Sequence, residues 1–236
     1  MTTPALDTQA LTPQALTTQA LAGQAWPDVP EQPLVLVPVG SIEQHGPHLP
    51  FDTDSAIAAA VAAGVAERSG GLVAPPLVYG NSGEHQSFPG TMSIGAEALR
   101  LVVVELVRSL ATWAGRVVFV NAHGGNAPTL ADAVKQLVGE GHDVAWVPCA
   151  TEEVDLHAGH TETSLMLHIR PGDVRLERAA AGNTAPLAEI LPAMMAGGVG
   201  AVSPNGVLGD PAGASAEHGR HVLEAMVDDV VRRLDR

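Results

Sequence analysis

The chain has 236 residues, enough for one domain with a sizeable core, and 46% of them are hydrophobic against 16% charged. A formal net charge of −14 opposes contact with phosphate backbones and anionic lipid headgroups, so neither nucleic acid nor a membrane surface is an expected partner. The single cysteine, Cys149, precludes an intrachain disulfide. No apolar run approaches the roughly 20 residues of a bilayer span, and Met1-Thr2-Thr3-Pro4 lacks a signal peptide's basic start, so a cytoplasmic protein is expected.

Residues 1 to 30 read as a low-complexity, weakly ordered arm, because Gln-Ala-Leu recurs from Gln9, Gln14 and Gln19 at a period matching neither helix nor strand. A single domain is expected over 31–236. Leu34 to Val39 is a short apolar run ending at Gly40, as in a buried strand. Asp54 to Ser69 reads as an Ala-rich helix closed by Gly70-Gly71. Leu72 to Val78 is a strand interrupted by Pro75-Pro76, Glu97 to Ala114 a helix, and Val117 to Val120 the clearest buried strand.

A helix over Thr129 to Val138 and a strand over Asp143 to Val147 follow, then a helix starting near Glu162. Ala179 to Gly213, rich in Gly and Pro, reads as mostly loop, and Ala214 to Arg236 as an amphipathic helix. Alternating strands and helices predict an α/β fold with a mostly parallel central sheet flanked by helices. Such sheets carry their chemistry at the carboxyl ends of the strands.

Polar clusters sit at those ends. The first runs from Gly40 to Asp54 and holds Glu43, His45 and Asp54. Glu43 and His45 are two apart and project to one side of an extended segment. Carboxylate and imidazole together suit Zn, Mn or Fe(II), although the same residues would also serve a polar loop in which they only cap and hydrogen-bond. The second cluster, Asn121-Ala122-His123-Gly124-Gly125-Asn126, follows the Val117 strand. The third, His157-Ala158-Gly159-His160-Thr161-Glu162-Thr163-Ser164, surrounds a helix start where Thr161 would be an N-cap and Glu162 would suit the helix dipole. Glu84-His85-Gln86-Ser87-Phe88 follows the Leu72 strand, placed to line a substrate pocket.

The run from Val37 through Asp54, the Asn121 to Asn126 turn and the His157 to Ser164 stretch resemble the creatininase family of amidohydrolases, over roughly residues 33 to 235. That resemblance implies a metal-dependent amide hydrolase with two divalent ions (Fe2+, Zn2+ or Mn2+). Glu43 and His123 would bind one ion, His45 the other, Asp54 would bridge them, and His157 would carry protons. Creatininase itself has Tyr-Glu after the second-motif His, where this chain has Gly124-Gly125; Glu162 is the expected replacement ligand. Many relatives carry Glu at the position of His160, which makes His160 a candidate for tuning substrate choice or binding metal. The peptidase branch of the family implies, as substrate, a short ribosomally made precursor peptide that loses a modified C-terminal Val-Tyr dipeptide. A small cyclic amide or formamide metabolite is the alternative substrate, and a homo-oligomer is expected by analogy.

Overall fold

A computed structural model describes residues 19–151 and 155–234. Strands β1 (Leu34–Val39), β2 (Leu72–Val73), β3 (Arg116–Asn121) and β4 (Val144–Pro148) form one sheet in the order β2-β1-β3-β4, with every pairing parallel. The helices are α1 (Thr53–Ser69), α2 (Gly95–Leu110), α3 (Ala127–Gly139), α4 (His160–Ile169), α5 (Leu187–Gly197) and α6 (Ala216–Leu234).

The strands are apolar on both sides because both sides are covered. In β3, Val118 and Val120 face a core shared with Ile57 and Val61 of α1, Leu165 of α4 and Met226 of α6. Val117 and Phe119 alternate to the other face, against Leu99 and Val103 of α2 and Leu130 of α3. At the end of β1, Gly40 leaves room for α1 to pass: a Cβ there would lie 2.4 Å from the Ser55 backbone nitrogen. The first turn of α1 is thereby held over the carboxyl edge of the sheet.

Three expectations are corrected. β2 is only two residues long, because Pro75 and Pro76 lack the N–H a ladder needs; pairing resumes only as a bridge between Leu77 and Val39. The predicted loop over 179–213 contains α5, an eleven-residue helix with Pro192 inside it. Helix formers such as Leu187, Ala188, Glu189 and Met194 carry it through, and its largely exposed surface lets water satisfy the carbonyl that Pro192 leaves unpaired. Finally, α4 starts at His160 with Gly159 at its N-cap, so Thr161 lies inside the helix and does not cap it.

Part of the expected arm, residues 1–18, lies outside the described residues. From residue 19 onward the chain packs on the sheet edge: Val73 N donates to Gln19 O, Ala20 bridges Val73, and Gln19 Nε2 donates to Ala66 O. Packing thus begins before residue 31. No helix among the described residues is long and apolar enough to cross a membrane.

Candidate functional site

The clusters meet at the carboxyl edge of the sheet. Glu43 and His45 lie in the loop after β1, Asp54 in the first turn of α1, His123 directly after β3, His157 after β4, and Glu162 in the first turn of α4. Glu43, His45, Asp54 and His123 are each at most 5% exposed. They form three groups whose ligand atoms lie within 4.8 Å of one another: Glu43, Asp54 and His123; His45, Asp54 and Glu162; and Glu43, His45 and His157.

The imidazoles share one arrangement. Each binds a backbone carbonyl through one nitrogen, and a carbonyl only accepts, so that nitrogen carries the hydrogen. His123 Nε2 donates to Asn81 O (2.9 Å), His45 Nδ1 to Glu43 O (3.2 Å) and His157 Nε2 to Gln44 O (2.8 Å). The other nitrogen then faces carboxylates. His123 Nδ1 lies 3.2 Å from Glu43 Oε2 and 3.4 Å from Asp54 Oδ2. His45 Nε2 lies 3.0 Å from Asp54 Oδ1 and 3.9 Å from Glu162 Oε2, and His157 Nδ1 lies 3.7 Å from Glu43 Oε1.

A bare ring nitrogen and a carboxylate oxygen repel one another unless a positive charge lies between them. At His45 and His123 protons supply it. Burial pushes the His45 imidazole down, but the Asp54 charge and hydrogen bond overcome this and hold it at about 10. His123 likewise stands well above its ordinary value, because Glu43 and Asp54 outweigh burial. Burial raises Glu43 and Asp54, and the imidazolium charges overcome it, holding Glu43 at about 2 and Asp54 well below its usual range.

The donor set fits divalent cations in place of those protons. Glu43 Oε1 is buried without a hydrogen-bond partner among the described residues. Ser41 Oγ contacts both Glu43 Oε2 (2.7 Å) and Asp54 Oδ2 (2.8 Å), yet its one hydrogen can satisfy only one of them. Two atoms each about 2.0–2.2 Å from one ion stand roughly 3–4 Å apart, which is the spacing of these nitrogen and oxygen pairs. Oxygen and imidazole donors suit Zn, Mn and Fe.

Glu162 faces two ways. Its Oε2 accepts a hydrogen bond from Ala158 N at 2.6 Å, tying down the start of α4, while the same oxygen faces His45. Burial pushes its carboxyl up to about 7, against the pull of His45. Ala158 sits at φ 53°, a left-handed conformation uncommon outside glycine, and this turn separates His157 from the helix.

The sequence singled out Glu84 and His85 only as pocket lining, and both do line it. His85 also enters the cluster: Nε2 lies 3.3 Å from Glu43 Oε1, and Nδ1 contacts Gln44 Nε2 at 2.9 Å. The Gln44 amide is oriented by Gly46 N donating to Oε1, so Nε2 is the donor to His85. Burial lowers His85 to about 4, leaving it neutral. Gln44 and Ser41 carried no signal of their own, since polar side chains in a loop are ordinary. His48 is structural, joined to Thr163 Oγ1 at 2.9 Å.

Gly125 is a glycine for a spatial reason. A Cβ there would lie 2.5 Å from Asn81 O and His123 Nε2 and 2.6 Å from Glu84 Oε1. Any side chain would displace His123. The cavity over the cluster measures about 430 Å³, and away from the polar floor its walls are Leu156, Leu187, Met194, Met195, Val199 and Leu208. A larger cavity of about 690 Å³, beside Trp26 and Trp113, contains none of the cluster. Chemistry, not size, marks the site.

His160 is not brought into the cluster. Its ring meets that of His218 edge-on, centroids 4.7 Å apart, in a separate cavity.

Comparison with known proteins follows the same lines. The family description "Creatininase: Creatinine amidohydrolase" matches residues 22–234. A protein of Mycobacterium ulcerans named mycofactocin precursor peptide peptidase is 57% identical over 213 residues, covering 86% of this chain and 85% of the relative. A solved structure of a mutant creatininase complexed with creatine aligns with a TM-score of 0.78 at 28% identity, covering 92% of this chain and 97% of the other. A creatininase structure described as a Mn form aligns with a TM-score of 0.73 at 28% identity, covering 95% of each chain.

Proposed function

Because the chain belongs to the creatininase family, we propose that this hydrolase is a metal-dependent peptidase that releases the modified C-terminal Val-Tyr dipeptide from the mycofactocin precursor peptide. The carrying observation is 57% identity, over 85% of its length, to a relative named for cleaving that peptide, about twice the identity to the creatininase aligned by structure. Gly124 and Gly125, where creatininase has Tyr-Glu, favour the same reading.

Glu43, Asp54 and His123 would hold one divalent ion, and His45, Asp54 and Glu162 the second, with Fe2+, Zn2+ or Mn2+ as the candidates. Bound ions would supply Lewis acidity at the scissile carbonyl and a hydroxide nucleophile near neutral pH. This chain's own residues do the remainder. His157 lines the cavity, and because its Nε2 donates to Gln44 O, the neutral ring presents Nδ1 as a base. It can therefore take the proton of the attacking water and deliver it to the departing nitrogen. Gly124 and Gly125 line the cavity, and their backbone N–H groups would donate to the developing oxyanion. The apolar wall excludes water and accommodates the Val and Tyr side chains.

The exposed side chains of Tyr79, Met92, Leu101 and Val102 support a homo-oligomer that would cover them, and a lone, unpaired Cys149 suits the cytoplasm. The deciding experiment incubates metal-loaded protein with modified precursor peptide and follows it by mass spectrometry. Release of the dipeptide is expected. Hydrolysis of creatinine but not of the peptide would move the assignment to the small-amide branch.

A further inference from the structure

A second cavity adjoins the apolar wall of the one over the cluster. Leu156, Leu187 and Leu208 form one side of the first and also line the second, which measures about 600 Å³. The two cavities adjoin across these three leucines, as neighbouring lobes. Their linings differ: the first lobe is apolar away from the cluster, whereas the second adds Asp155, His160, Thr161, Asn183 and His218 to the shared leucines.

His160 is the first residue of α4, and His218 comes from the first turn of α6. Their rings are half-buried against each other, yet among the described residues no protein group hydrogen-bonds to either ring. Two imidazoles held in place with unengaged nitrogens present donors and acceptors to whatever fills the lobe. Asn183 is different: its amide is committed to Val202 O and Ala185 N, so it shapes the wall.

A small cyclic amide would fit in the first lobe alone. A peptide would not, because the chain on the amino side of the scissile bond must leave the cluster. The apolar lobe suits the small released end, and the polar lobe suits the main chain of the remainder. We propose that the His160–His218 cavity is the subsite for the peptide segment preceding the scissile amide, and that these two histidines determine preference for a peptide over a small amide. This rests on the peptidase reading above and adds to it a location for the long side of the substrate.

The test compares metal-loaded wild type with H160A, H218A and the double variant. One substrate is the full modified precursor; the other is the same dipeptide preceded by a single acetylated residue. For the full precursor KM should rise roughly tenfold in the double variant, with kcat within about twofold, since only binding remote from the reacting bond is lost. The short substrate should be turned over alike by every protein. Because alanine could loosen the α4–α6 contact, H160Q and H218Q are included; glutamine keeps a donor and an acceptor and should recover most of the lost affinity. Unchanged KM for the full precursor, or equal losses on both substrates, would overturn the subsite while leaving the peptidase standing. Failure of wild type to cleave either substrate would instead remove the peptidase. The subsite is then judged by fluorescence anisotropy of labelled, unmodified precursor: binding by wild type and not by the double variant upholds it, and equal binding or none overturns it.

Discussion

His45 Nε2 faces Glu162 Oε2 across 3.9 Å, bringing together two residues 117 positions apart in the chain. The gap is too long for a hydrogen bond and suits two donors of one ion. Without Glu162, a cation at His45 would keep only the shared Asp54 as a second protein ligand. Glu162→Gln should therefore lower affinity at that position by more than the roughly 10–100-fold typical of losing an outer hydrogen-bonding partner. The ion held by Glu43, Asp54 and His123 should stay. Titration calorimetry resolving two metals should show one affinity fall and the other hold; a fall in both, or in neither, removes Glu162 from the second position.

Asp54 offers one oxygen to each side, Oδ1 toward His45 and Oδ2 toward His123. Its charge would also offset the mutual repulsion of two cations. Asp54→Ala should leave neither ion bound after dialysis, as read by elemental analysis. Full occupancy of two metals in that variant is the result that sinks the bridging role.

His157→Ala separates proton transfer from metal binding. The side chain lies 3.7 Å from Glu43 Oε1, and Glu43, His45 and His157 form a group compact enough for an ion. If the residue carries protons, the variant should lose roughly 10²–10⁴-fold in kcat, the usual scale for general acid–base catalysis, with metal content unchanged. A metal content that falls with the activity would place His157 among the ligands.

The protons that stand between imidazoles and carboxylates also govern stability once metal is removed. His45 is raised from 6.5 to about 10, so its contribution is complete below about pH 6.5 and is lost as pH rises through 10. Glu43 is lowered from 4.5 to about 2, so its contribution is complete above about pH 4.5 and is lost as pH falls through 2. These two contributions are complete together only between about pH 4.5 and 6.5, and the Tm of chelator-treated protein should decline from pH 6.5 toward 10. Metal-loaded protein should decline less over that range. A flat Tm for the chelated protein would show that the imidazolium–carboxylate contacts contribute nothing.

Much of this is legible in the sequence. Apolar runs ending in Gly40 and in Asn121 mark strands whose carboxyl ends carry polar residues, because a strand covered on both faces can expose function only where it stops. The Ala-rich repeat of α1 and the separation of Glu43 from His45 are local properties, set by backbone periodicity alone. β2 and α5 were less legible, since proline limits a strand or a helix according to whether water can reach the carbonyl it leaves unpaired, which depends on neighbours.

The sequence by itself determined the chemistry available: carboxylates and imidazoles placed after three strands of a parallel sheet. Only the tertiary structure decided who meets whom. It turned the chain at Ala158 so that His157 and Glu162 face the cluster while His160 faces His218, and it crowded Gly125 with Glu84 and His123. The turn at Ala158 is held by the packing of α4 against α1 and α6, and the crowding at Gly125 by the approach of the Asn81–Glu84 segment; such long-range contacts leave no periodic trace in the local sequence.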